Sequence, residues 1–129
     1  MMSWRGEREL GYVEVTVKIG NPKGSFTEET KFLVVTGAFH TAIPKTTAEE
    51  LGLEIAGEIP ITLADKREIK APIALATLKV LDRESIVPVV IIDVPKPLLG
   101  VSALEGLGLK VDSVAGSLEH SRPFGAALL

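Results

Sequence analysis

Few residues in this chain combine a reactive type with a setting for covalent or proton-transfer chemistry. The richest stretch is Phe32-Leu33-Val34-Val35-Thr36-Gly37-Ala38-Phe39-His40-Thr41-Ala42-Ile43-Pro44. There an apolar run enters a Thr-Gly turn, a small residue follows, and a polar pair leads to an Ile-Pro exit. His40 has the chemistry of a general base. No Ser or Cys nucleophile is paired with it in the sequence, so it reads as a polar loop residue. The carboxylates lie elsewhere. Glu28 and Glu29 come early in the approach to the turn, where exposure is expected. Asp65 stands in a polar turn, where local hydrogen bonding favours Asp. Asp93 precedes Pro95-Lys96-Pro97 and reads as a surface residue. His120 is too isolated for a metal site. Zero cysteines exclude disulfides and thiolate metal sites and fit a reducing compartment. Neither a metal nor a cofactor is expected.

The elements around the turn follow from periodicity. Tyr12 to Ile19 alternates apolar and polar residues, a half-buried strand with its odd-numbered apolar residues inward. Gly20-Asn21-Pro22-Lys23-Gly24 is turn chemistry. Phe26 to Val35 reads as the returning strand, polar first and apolar by Phe32, with both faces of its end covered. Val34 and Val35 favour a strand there, and Gly37 suits a sharp turn that a side chain would obstruct. After Pro44, Thr46 with Glu49 or Thr47 with Glu50 has capping-box spacing, and Gly52 can close a short helix.

Ile59 to Leu63 and Glu68 to Ile73 read as a second hairpin around Ala64-Asp65-Lys66-Arg67. Ile73 to Leu81 and Ser85 to Val94 are two further strands, joined by a polar Asp82-Arg83-Glu84 turn. Pro88 argues for an edge, a bulge or a strand start. Ser102 to Glu105 repeats capping-box spacing and opens a short helix through Leu107. Gly108 to Asp112 leads out of it.

At 129 residues the chain is read as one domain spanning 1–129. Residues 1–10 are a charged leader and 113–129 a tail. A hydrophobic fraction of 46% with few aromatics leaves Val, Ile, Leu and Ala to build the core. A net charge of −3, with Lys and Arg scattered, gives no electrostatic case for nucleic acid. The longest apolar run, Ile86 to Ile92, is too short to span a bilayer. The first ten residues lack an apolar signal segment. The expectation is a soluble, cytoplasmic protein with no membrane partner.

The Val-Thr-Gly-Ala turn and the downstream Leu98-Leu99-Gly100 together carry a resemblance. The chain resembles the retropepsin-like aspartic peptidases, the single-domain relatives of pepsin. Their signature is an apolar strand ending in Asp-Thr-Gly-Ala, followed by a Thr and an apolar-Pro step. Thr36, Gly37, Ala38, Thr41, Ile43 and Pro44 are kept. Val35 stands where the family has its catalytic aspartate. The resemblance covers roughly Val13 to Asp112, and the two motifs at this separation are more specific than either alone.

That resemblance implies an all-β fold, a closed acid-protease barrel with a flap hairpin and one or two short helices. It places Val35, Thr36 and Gly37 at the catalytic turn. Ala38 and Phe39 then line the substrate groove, with Ala64, Asp65 and Lys66 at the flap tip, where the family has Ala-Asp-Gly. Phe39 is a second departure, since the family carries a small polar or acidic residue there to hold substrate backbone. Thr36 is implied to brace the partner's turn across a twofold axis. The tail, with its apolar patch Ala126 to Leu129, is either a frayed end or part of a subunit interface. The leader is open to the same two readings.

Aspartic peptidases use two carboxylates sharing one proton, because like charges that close cannot both ionise. This chain has one such turn, so a complete site requires an isologous homodimer acting on a peptide or protein substrate. With Val35 in both copies there is no dyad, and valine neither exchanges a proton nor holds a nucleophilic water. The expectation is an aspartic endopeptidase domain that is inactive as written. The alternative is a noncatalytic dimeric module that binds extended peptide in the same groove. A purely structural dimerisation domain is the third reading.

Overall fold

The computed structural model describes residues 12–24, 27–63, 65–112 and 114–121. The leader, Ala64 and the patch at 126–129 lie outside the described residues. Strand β1, Tyr12–Gly20, buries Val13, Val17 and Ile19 and exposes Glu14, Thr16 and Lys18. It pairs antiparallel with β2, Thr27–Val35, from Tyr12↔Val35 to Gly20↔Thr27. Between them, Asn21 O accepts from Gly24 N at 2.7 Å, and Asn21 Oδ1 accepts from Lys23 N at 2.9 Å. Phe32 and Val34 are fully buried, while Leu33 and Val35 on the other face are only half-covered. The even-numbered residues of β2 share the inward face. Glu28 is one of them. It is half-buried rather than exposed, and its Oε1 is buried without a hydrogen-bond partner among the described residues. Glu29 is exposed as expected.

The short strand β3, Thr41–Ile43, is buried throughout. Helix α1, Lys45–Leu51, begins after Pro44 with no side-chain cap, so neither capping box forms there. Pro44, extended at φ −66° and ψ 154°, takes the cap position itself. Gly52 closes the helix at φ 66°, in the left-handed region that glycine adopts without steric cost.

Strand β4, Ile55–Thr62, pairs with β5, Glu68–Val80, and β5 pairs with β6, Arg83–Ile91. Two expected strands are thus one continuous β5. The turn before β6 is Leu81-Asp82, with Leu81 at φ 57°. Arg83 and Glu84 belong to the ladder instead. Arg83 is only 4% exposed, and its guanidinium donates to the Leu107 carbonyl at 3.0 Å. Pro88 lies one residue before the stretch that pairs β6 with β3, where its missing N–H costs no bond to that strand.

Strand β7, Leu98–Leu99, runs parallel to β2 and opposes β3 at Ala42. Helix α2, Val101–Leu107, follows from Gly100, also without a side-chain cap, and Gly108 ends it at φ 69°. Strands β8, Leu109–Asp112, and β9, Ser117–His120, form a separate hairpin. The described part of the tail is therefore paired within its own chain.

The main sheet runs β1-β2-β7-β3-β6-β5 and closes on itself through Val17↔Val80 to Gly20↔Thr77. Six strands make a barrel, with β4 outside it, paired to β5. Closure removes the edges of those six strands, and β4 keeps one unpaired side among the described residues. Phe32, Ile43, Leu78, Val89, Leu99 and Leu107 fill the barrel and tie α2 to it. This is the all-β closed barrel with two short helices that the sequence led us to expect.

Candidate active-site turn

Val35 ends β2, and the chain reverses through Thr36 and Gly37 to close a turn in which Val35 O accepts from Ala38 N at 3.2 Å. Thr36 and Gly37 are exposed; Val35 and Ala38 are half-buried. A Cβ built on Gly37 meets nothing within 4 Å, and the residue has no positive φ. The expectation that a side chain would obstruct this turn does not hold within one chain. Space in front of the turn is open.

Behind the turn the packing is tight. Val101 N donates to Ala38 O at 2.8 Å, and Ser102 N to Phe39 O at 3.0 Å. Thr41 Oγ1 accepts from Gly100 N at 3.0 Å, with both residues buried. A Cβ on Gly100 would lie 2.8 Å from Phe39 O and closer still to the His40 carbonyl. The glycine that sterics demand at this site is therefore Gly100. The start of α2 satisfies the carbonyls of Ala38 and Phe39, and Thr41 at the start of β3 satisfies the Gly100 N–H. Leu-Leu-Gly and Val-Thr-Gly-Ala are one hydrogen-bonded unit.

Phe39 projects from this unit, 61% exposed, with its ring edge-on to His40 at 5.1 Å and 87°. Ala42, Ala71 and Val90 are buried in a second, smaller apolar cluster with Ile59, Ile61, Ile92 and Leu98 around them. The cluster joins the β4–β5 hairpin to β3 and β7 at the flank of the turn. None of these residues carries a reactive group. Ile59 and Ile61 alternate within the hairpin, which was the available signal.

At the hairpin tip, Leu63 N donates to Arg67 O and Lys66 N to Leu63 O, each at 2.8 Å. Asp65 Oδ1 accepts from Arg67 N at 3.1 Å, and Oδ2 meets Arg67 Nε at 2.7 Å. The Arg67 backbone N–H, then its guanidinium, holds the Asp65 carboxyl below the usual value. Asp65 is thus a turn carboxylate committed to Arg67, as its place in the sequence suggested. Lys66 sits at φ 71°, in the left-handed region. Replacing it with glycine is expected to stabilise the protein by about 1 kcal/mol, read as a higher denaturant midpoint. Lys66→Ala keeps the strain and should leave the midpoint in place.

Asp93 is exposed. Glu14 pairs with Lys96, whose hydrogen bond lowers the Glu14 pKa. His120 Nε2 meets Asp82 Oδ1 at 2.7 Å, and that bond lowers the Asp82 pKa. Depressed carboxylates stabilise the fold above their unfolded values and lose that contribution as pH falls through the folded ones. Stability should therefore decline below about pH 4, near the ordinary Asp value. In an Asp65→Asn/Asp82→Asn variant, acid denaturation curves should fall less between pH 5 and pH 2 than in the parent. Among the described residues no three of His, Asp and Glu stand together to hold a metal. No helix among them is long and apolar enough to cross a membrane.

The sequence model of the aspartyl protease family matches residues 14–115. The chain belongs to that family. None of the curated proteins matches it.

Proposed function

We propose that residues 1–129 act as one domain of the aspartic-peptidase type, working as a homodimer that receives extended peptide in a groove across its twofold axis. As written, the chain does not hydrolyse that peptide. The observation that carries this reading is the turn at Val35-Thr36-Gly37, open in front and braced behind, with no carboxylate on it. One such turn is half a site, and a second copy supplies the other half. In that arrangement Thr36 braces the partner's turn, and Gly37 makes room for it. The β4–β5 hairpin serves as the flap, with Ala64, Asp65 and Lys66 at its tip and Ala38 and Phe39 on the groove wall.

Hydrolysis by this family's chemistry needs one carboxylate to activate a water and another to protonate the peptide carbonyl. Val35 offers neither. Glu28 and Glu29 lie near the start of β2, at the far end of the strand from Val35. Asp65 is engaged by Arg67, and Asp93 is a surface residue. The noncatalytic peptide-binding reading and the silenced-peptidase reading share this groove; cleavage restored by Val35→Asp separates them. The cysteine-free composition supports a reducing, cytoplasmic setting. Sedimentation equilibrium at micromolar concentration tests the assembly. A mass of two chains is expected; a monomeric mass would overturn the proposal.

A further inference from the structure

A cleft of about 730 Å³ opens between α1, the root of the β4–β5 hairpin and the end of β6. It shares no residue with the 32–44 stretch or with 95–102. Its walls are apolar, with Leu53, Ile55, Pro72 and Ile92 prominent. The register of β4 against β5 shifts between Ile55 and Gly57, next to the cleft. Ile55 is left 55% exposed on this surface. Volume and lining match those of small-molecule sites, which are mostly apolar with a few polar groups for orientation.

Three charged residues border the cleft: Lys45, Glu49 and Asp93. All are exposed, and none makes an ion pair among the described residues. Two carboxylates against one ammonium give the rim a net negative charge. Complementarity then favours a ligand with an apolar body and a cationic head. An aliphatic carboxylate would gain from Lys45 and be opposed by two like charges. We infer that this cleft is a second binding site, separate from the proposed peptide groove, for small apolar amines.

The probe is n-octylamine, a cation at neutral pH, compared with octanoate, both below their micellar range. Amide shifts in the ¹⁵N-labelled protein are followed during each titration. Saturable binding of octylamine is expected, with the largest shifts around Ile55 and Ile92 and a preference over octanoate of about fivefold or more. Glu49→Gln with Asp93→Asn leaves Lys45 as the charge bordering the cleft and should abolish or reverse that preference. Ile55→Trp, which fills the cleft from an exposed position, should abolish binding while the far-UV spectrum is retained. The inference is overturned if octylamine does not saturate, or if octanoate binds as tightly. It also fails if Ile55→Trp leaves octylamine binding unchanged.

Discussion

Replacing Val35 with aspartate is expected to raise peptide cleavage at least about a thousandfold above the parent's background, given what positioned proton transfer contributes. Two copies of the turn would then place two carboxylates together at the twofold axis. One would ionise readily and the other reluctantly, so the pair would titrate with two separated apparent pKa values. Activity should follow a bell-shaped pH profile, highest where one proton is shared. A stability cost should accompany the gain, because in the proposed dimer two repelling carboxylates would take the place of two valines. Denaturant unfolding of Val35→Asp should show a lower midpoint than the parent. Should Val35→Asp be inert yet folded and dimeric, Phe39 is a second block on the groove wall. The purely peptide-binding reading would then replace the silenced-peptidase one.

The second large effect is expected at Gly100. A methyl group there would press on the carbonyls of Phe39 and His40, which are backbone atoms held by α2 and β3. Relief would require either Leu98–Gly100 or the turn to move. Gly100→Ala should cost about 3 kcal/mol, at the upper end of overpacking penalties because no flexible side chain can give way. In the Val35→Asp background it should also reduce cleavage about a hundredfold, since misplacing a reacting group by about 1 Å is enough for that. Thr41→Val separates hydrogen bonding from bulk. It keeps the shape but leaves the Gly100 N–H buried and unsatisfied, at a cost of about 2 kcal/mol. Both effects can be read as denaturant midpoints. A Gly100→Ala protein with an unchanged midpoint would show that the turn is looser than its packing implies.

The contrast between Gly37 and Gly100 shows what a single sequence conceals. Both glycines are visible in motifs, but only contacts reveal which one is sterically required. Gly100 meets Thr41 across 59 positions, a distance no local pattern encodes. Alternation did reveal β1, because a period of two reports directly on a half-buried strand. Gly52 as a helix stop was legible for a comparable local reason. The capping boxes were not formed. Pro44 and Gly100, fixed by strand contacts before each helix, occupy the cap positions instead.

Charged residues were read least well. Glu28 and Arg83 looked like surface residues because charge is usually solvated. Strand register overrode that tendency, turning Glu28 inward and burying Arg83 against the end of α2. At the site itself, the identity of position 35 was plain from the start. The openness in front of the turn was not, because it depends on the whole barrel being closed behind it.

The most direct measurement is mass spectrometry of a defined peptide pool incubated with the parent protein and, in parallel, with Val35→Asp, from pH 3 to pH 7. The account predicts an intact pool with the parent at every pH and new termini with Val35→Asp in a bell-shaped window. Cleavage by the purified parent at a rate comparable to the variant would contradict it, because the chemistry would then not depend on a carboxylate at position 35.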